Sequence, residues 1–146
     1  SHSTLLELNS LFNCIEKKTQ ASYSGFKLIT TLYNETQIER ALEYLNCLHR
    51  SYYHHLIDEI HVFYDTSKDQ KTNLILNYLH KKKNITVKII SGRPTYKNIF
   101  DYANQCFTSG SRIIVSNADI YFNETLNLAV DIDLKEKFIV FNLYFL

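Results

Sequence analysis

The 146-residue chain is long enough for one domain with a buried core, and 45% of its residues are hydrophobic while 21% are charged. A formal net charge of +1 argues against the strongly basic surface typical of proteins that bind nucleic acid or anionic membranes. Cys14, Cys47 and Cys106 are too widely spaced for a disulfide framework, so we expect free thiols on buried helix faces and a reducing, cytoplasmic location. No apolar run has the length of a membrane-spanning helix.

The first part of the chain predicts a helix, a strand and a second helix in that order. Apolar residues at helical spacing predict the first helix over residues 3–20, and the apolar run 26–33 predicts the first strand. Residues 34–39 carry helix-start chemistry, because both Asn34–Gln37 and Thr36–Glu39 fit a capping box. The helix continues with one apolar face to at least Leu48.

The middle of the chain repeats this alternation. Residues 60–64 predict a second strand that ends at Asp65, and residues 69–83 predict the next helix. A β-branched run over residues 85–90 predicts the third strand. The turn Gly92–Thr95 then leads into a helix that ends near Cys106, with Pro94 or Thr95 close to its first turn.

The last part of the chain predicts two more strands. Arg112 opens an apolar run without alternation, which is typical of a strand buried on both faces of a parallel sheet. A short helix is expected from Thr125 and a final strand over residues 138–145. The pattern predicts a single α/β domain over residues 1–146, with an N-terminal helix and connector in 1–25. Its core, residues 26–146, is expected to be a mainly parallel, Rossmann-like sheet with helices on both faces.

Oxygen-bearing side chains follow three of the predicted strands, and parallel strands present such ends along one edge of the sheet. They are Tyr33, Asn34 and Glu35 after the first strand, Asp65 after the second, and Asn117 and Asp119 after the fourth. The Asn117–Asp119 pair has the hard oxygen ligands that suit Mg²⁺ or Mn²⁺. The alternative is that Asp119 caps the turn that follows it. Arg93 follows a strand end and is either a phosphate ligand or a structural residue of its turn.

These residues, taken in order, resemble the glycosyltransferases of the GT-A fold. The resemblance covers Phe26 to Phe145 and is to the nucleotide-sugar-binding half of that fold. The matching segments are KLITTLYN at 27–34, Asp65, GRPTY at 92–96 with YAN at 102–104, and SNADIYF at 116–122.

The resemblance implies a role for each strand end. Tyr33, Asn34, Glu35 and Asp65 would hold the nucleoside of a UDP- or GDP-sugar. Asn117-Ala118-Asp119 stands where the family has its D-x-D motif, with Asn in place of the first Asp, and would bind Mn²⁺ or Mg²⁺ and the diphosphate. The family's catalytic base belongs to a second half that this sequence does not contain, so the catalytic residue is unknown. We expect a homodimer, a partner chain or a further segment to complete the site.

One other interpretation remains open, and the sequence argues against four more. A non-catalytic scaffold or assembly domain would keep the fold without turnover. A receiver-type signalling domain needs acidic residues where this chain has Tyr33-Asn34 and Ser91-Gly92. A nucleotidyltransferase, a Rossmann dehydrogenase or a P-loop NTPase needs a Gly-rich loop, which the sequence lacks.

Several conspicuous side chains have simpler explanations than a site. Asp131-Ile132-Asp133 is a literal D-x-D, but it precedes a predicted strand, so we expect a solvated turn at the opposite edge of the sheet. His54-His55 is interpreted as a surface or interface patch, and His61 as a hydrogen-bonded residue within the sheet.

Overall fold

The computed structural model describes residues 25–69 and 74–133, in which four parallel strands form one sheet of order β3-β2-β1-β4. The strands are β1 (Phe26–Tyr33), β2 (Ile57–Asp65), β3 (Ile85–Ile90) and β4 (Arg112–Ser116). The helices are α1 (Ile38–Tyr53), α2 (Leu74–His80) and α3 (Tyr96–Cys106), and 3₁₀ turns cover Thr66–Lys68 and Glu124–Ala129. The predicted helix 3–20, the predicted strand 138–145 and residues 70–73 of the helix predicted over 69–83 lie outside the described residues.

Helices pack on both faces of the sheet. Alternate residues of β1 belong to separate cores: Leu28 and Leu32 pack in the cluster that contains α1 and α2 residues, whereas Ile29 packs in the cluster that contains Ile99 and Ala103 of α3. The chain therefore crosses back over the other face between β3 and β4. The predicted α/β class, with a parallel sheet covered on both faces, is confirmed.

Strand β4 differs from its prediction, because it is buried on one face only. Ile114 is 8% exposed, but Ile113 and Val115 are 36% and 38% exposed. The reason is the strand order: β4 pairs with β1 and is the outermost strand of the described sheet. Helix α3 contacts Ile29 of β1 and Phe63 of β2 instead of β4.

The two long helices with described N-termini begin in different ways. The predicted capping boxes of α1 are wrong, since its N-cap is Gln37, whose side chain makes no capping hydrogen bond. The Gln37 amide is instead bound by the Glu35 carboxylate, with an N–O distance of 3.1 Å. The N-cap of helix α3 is Thr95, one of the two residues predicted near its first turn, and it forms a reciprocal capping box with Asn98.

The cysteines of the described residues are both free thiols. Cys47 is buried in α1, as predicted, whereas Cys106 is exposed at the end of α3, so its predicted burial is wrong. Within residues 25–69 and 74–133, no helix combines the length and apolar character needed to cross a membrane.

Candidate functional site

A cleft opens between β1, β4 and α1, on the face of the sheet that α1 covers. It has a volume of about 230 Å³, including space open to solvent, and is lined by Leu28, Thr30, Leu32, Tyr44, Leu48, Ser51, Ser116, Asn117, Ala118 and Ile120. The order β3-β2-β1-β4 reverses direction between β1 and β4. Ligands of doubly wound sheets bind in the crevice outside the carboxyl ends of the strands at such a reversal. The mouth of this cleft is therefore the candidate functional site.

Tyr33 and Glu35, at the end of β1, form a hydrogen-bonded network with α1. The Tyr33 hydroxyl donates to the Glu35 carboxylate at 2.6 Å and lies 3.4 Å from the Tyr44 hydroxyl. Arg40 donates to the Tyr44 hydroxyl at 2.7 Å, and the Lys68 ammonium lies 4.4 Å from the centre of the Tyr33 ring. The hydrogen bond from Tyr33 lowers the pKa of Glu35, and the same bond raises the pKa of Tyr33.

Asp65, at the end of β2, connects two loops of the carboxyl edge. Its Oδ1 accepts hydrogen bonds from the Ser67 amide at 2.9 Å and from the Gly92 amide, after β3, at 2.8 Å. Hydrogen bonds from Ser67 first, and then that from Gly92, lower the pKa of Asp65. Gly92 has a φ of +90°, a backbone conformation that residues other than glycine rarely adopt. Asp65 therefore stabilises a turn that requires glycine.

Asn117 and Asp119 are exposed residues of the loop after β4. Asn117 lines the cleft, as does Tyr44 of α1. Asp119 lies close enough to Cys47 of α1 for its charge to affect that thiol. The pKa of Cys47 is raised mainly by burial, and the charges of Glu43 and Asp119 add to the effect. The hydrogen bonds of Asp65 extend toward β3, whereas Asp119 lies on the other side of β1, in the loop after β4. Since β1 separates the ends of β2 and β4, those ends are about 10 Å apart.

The side-chain oxygens at this edge of the sheet suit a cation that binds together with a phosphate-containing ligand. In the part of the chain that the structure describes, no group of three His, Cys, Asp or Glu side chains could hold a metal ion. Mg²⁺, however, is usually bound by one or two carboxylates together with substrate phosphates and waters. Asp119, with the amide oxygen of Asn117 two residues before it, fits that limited role.

The remaining predicted ligands lie at the same edge. Asn34 is half-buried between Tyr33 and Glu35, and Arg93 is exposed directly after Gly92. The cationic and phenolic partners Arg40, Tyr44 and Lys68 were missed by the sequence analysis. The spacing of Arg40 and Tyr44 was a usable signal, because residues four apart on a helix are neighbours.

The side chains interpreted as structural can now be located. His61 hydrogen bonds to the Tyr102 hydroxyl at 2.7 Å and to Glu59 at 3.1 Å, which confirms that it is a satisfied sheet residue. Asp131 and Asp133 are exposed. The carbonyl of Ile132 between them accepts a hydrogen bond from Arg112, the first residue of β4. The literal D-x-D thus lies at the amino edge of the sheet, as predicted.

His54 differs from its prediction as part of a surface or interface patch, since it is only 9% exposed and its partners belong to the same chain. Its ring accepts from the Leu56 amide and bonds the Asn123 carbonyl, so it joins the end of α1 to the loop before the second 3₁₀ turn. Burial follows from these two backbone partners. His55, stacked on it with ring centres 5.1 Å apart, is exposed.

Comparison of the sequence with protein-family models finds no match, and comparison with curated proteins finds no similar chain. The geometry of the site therefore carries the functional argument by itself.

Proposed function

We propose that this domain binds a nucleoside diphosphate sugar at the carboxyl edge of its sheet, in the manner of a glycosyltransferase. The observation that supports the proposal is the strand order β3-β2-β1-β4, which reverses beside the cleft. In open α/β sheets this is where nucleotides bind. The side chains at this edge also have the required chemistry, with carboxylates for hydroxyl groups and cations for phosphates.

Each part of the ligand has a matching group. The hydrogen bonds that Glu35 and Asp65 accept lower the pKa of both carboxyl groups and keep them ionised. An ionised carboxylate has more lone pairs than these bonds use, so each can also accept from a ribose hydroxyl or a base. Arg93, which is exposed at this edge, provides a cation for a phosphate. Asp119 and Asn117 would hold Mn²⁺ or Mg²⁺ against the diphosphate, and the bound cation would stabilise the diphosphate as a leaving group.

Sugar transfer would require a base within hydrogen-bond reach of the acceptor hydroxyl. We propose that a partner chain, a second copy or a further segment supplies that base. We also propose a cytoplasmic location, because Cys47 and Cys106 are free thiols and thiols are kept reduced in that compartment.

Isothermal titration with UDP-, GDP- and CDP-glucose, with and without Mn²⁺, tests the proposal. We expect one of them to bind, more tightly with Mn²⁺, and we expect Asp119→Asn to weaken the Mn²⁺-dependent part about tenfold, or ~1.4 kcal/mol. Asp131→Asn is the matched control, since it makes the same change at the amino edge. Absence of heat from all three at millimolar ligand, or equal effects of the two variants, would refute the proposal.

An assembly domain is the second candidate, and the exposed apolar side chains of β4 favour it. Ile113 and Val115 are partly exposed on one face of β4, which is the outermost strand of the described sheet. The backbone groups at the edge of such a strand can pair with another chain, and the exposed apolar side chains would add buried area to that contact. This function predicts a dimer in size-exclusion chromatography with light scattering, weakened by Val115→Asp and indifferent to Asp119→Asn. A monomer at all concentrations would contradict it.

A further inference from the structure

Three buried hydroxyl groups line the cleft without a hydrogen-bond partner among residues 25–69 and 74–133. They belong to Thr30, Ser51 and Ser116. The Thr30 and Ser51 residues are 4% and 1% exposed, and the Ser116 oxygen is itself inaccessible.

The fold explains why these hydroxyls face one space. Thr30 of β1 and Ser116 of β4 are direct partners in the parallel register, so their side chains point to the same face of the sheet. Ser51 lies on the buried face of α1, which covers that face. Two adjacent strands and a helix therefore each contribute one hydroxyl to the same cleft.

An unpaired hydroxyl is costly in such a position. Burying a hydroxyl without a hydrogen bond costs about 1–3 kcal/mol by mutational measures. Serine in a helix commonly relieves this cost by bonding the carbonyl four residues earlier, but the Ser51 hydroxyl does not. Three orphaned hydroxyls in one cleft indicate a shared partner that is itself both donor and acceptor.

We propose that the cleft binds one neutral oxygen that hydrogen bonds to Thr30, Ser51 and Ser116. In the free protein this oxygen is that of a water molecule, and the hydroxyl of a small polyol that enters past Asn117 can replace it. Buried waters typically make about three hydrogen bonds, which matches the three hydroxyls. The cleft as a whole has room for about one water-sized molecule.

The lining also decides the charge of the occupant. Apart from the three hydroxyls, it consists of apolar side chains with Tyr44 and Asn117, and it contains no cationic group. A phosphate or carboxylate would lose its hydration there without a counter-charge, so an anion is disfavoured. The site is therefore distinct from the proposed diphosphate position and does not depend on nucleotide binding.

A double-mutant cycle on Thr30→Val and Ser116→Ala tests whether the hydroxyls share a partner. We expect each single change to lower the urea midpoint by about 0.5 M, because it removes one bond to the bound oxygen. The double variant should lose clearly less than the sum, since the first change already weakens the site. Thr31→Val is the matched control, the same substitution on the opposite face of β1, and Ser51→Ala extends the cycle to the helix.

The opposite result is equally definite. If the hydroxyls have no partner, each substitution removes a desolvation cost, so the midpoints rise or stay constant and the two changes add. That outcome would overturn the proposal.

NMR distinguishes the two sources of the oxygen. A long-lived water cross-peak to the Thr30 and Ser116 amides in polyol-free buffer identifies water. Shifts of the same amides on addition of glycerol or glucose, present in the wild type and absent from Thr30→Val/Ser116→Ala, identify a ligand hydroxyl. Absence of both signals would also overturn the proposal, even if the variants were less stable.

Discussion

His54 provides a quantitative test of how the loop after β4 is attached to the rest of the fold. Its Nδ1 accepts from the Leu56 amide at 3.1 Å, so the ring proton lies on Nε2, which donates to the Asn123 carbonyl at 2.8 Å. One neutral tautomer thus satisfies two backbone groups that are distant in sequence. The loop it anchors contains Asn117 and Asp119 at its other end.

The expected cost follows from these two bonds. His54→Leu leaves a buried amide and a carbonyl without their partner, and each such group costs about 1–3 kcal/mol, so we expect about 2–4 kcal/mol after partial relaxation. His54→Asn keeps an acceptor that can reach the amide two residues on, but it is too short for the Asn123 carbonyl. We expect that variant to lose about 1 kcal/mol.

Urea denaturation followed by far-UV circular dichroism measures both values. His55→Leu is the control, because it makes the same change at an exposed neighbour and should stay within about 0.5 kcal/mol of the wild type. In a thermal scan, each kcal/mol should correspond to about 2–4 °C for a chain of this size. Equal stabilities of His54→Leu and His55→Leu, or a His54→Asn variant as unstable as His54→Leu, would refute the assigned hydrogen bonds.

Three further predictions concern packing and charge. Gly25→Ala should cost about 1–3 kcal/mol in urea denaturation, because its new Cβ would lie 2.5 Å from the Leu56 carbonyl oxygen; an unchanged midpoint would contradict this close approach. Leu45→Ala, at a fully buried position, should cost about 2–5 kcal/mol, whereas Leu128→Ala, 77% exposed, should stay within about 0.5 kcal/mol; similar losses would show that the α1 core is misassigned. The pKa of Glu35 is lower in the folded protein than the ordinary carboxyl value of about 4.3, so ionised Glu35 stabilises the fold at any pH above that value. This stabilisation is lost as the pH falls through the lower pKa of the folded state. Urea midpoints measured between about pH 5.5 and pH 3 should therefore fall less steeply in Glu35→Gln, and identical slopes would contradict the network.

The sequence pattern was sufficient to predict those elements that depend on neighbouring residues or on a run of apolar residues. Strands β1 and β3 have the predicted bounds, because each is a run of apolar or β-branched residues between polar turns. Helix α3 begins at Thr95 because its capping box lies entirely within four consecutive residues. Such features are determined by neighbours in the sequence and can be recognised there.

The errors arose where a distant partner decides the structure. Strand β2 begins at Ile57, before the predicted Ile60, because the Asp58 carboxylate binds the Gly25 amide at 2.6 Å and extends the pairing with β1. Burial of β4 depends on strand order, which an apolar run alone does not reveal. The α1 capping boxes were wrong for a local reason, because Glu35, two residues earlier, binds the Gln37 amide in their place.

The candidate site shows the same division. Placement of Tyr33, Glu35 and Asp65 at strand ends was readable from the sequence, and the parallel sheet brings those ends to one edge. Their partners were not readable, because Gly92 is 27 residues from Asp65. The hydroxyls of the cleft come from three separate elements and share no motif, so only the folded arrangement reveals them.

The bond between Tyr33 and Glu35 has a consequence for any molecule that approaches the end of β1. At 2.6 Å it is a short, charge-assisted contact, so the protein already occupies one carboxylate oxygen with its own phenol. An incoming hydroxyl group must either use the remaining lone pairs or displace the tyrosine. Displacement would swing an aromatic ring away from Tyr44 and Lys68 and uncover both. Occupancy at this edge would then be reported by tyrosine fluorescence, an intrinsic signal that needs no label.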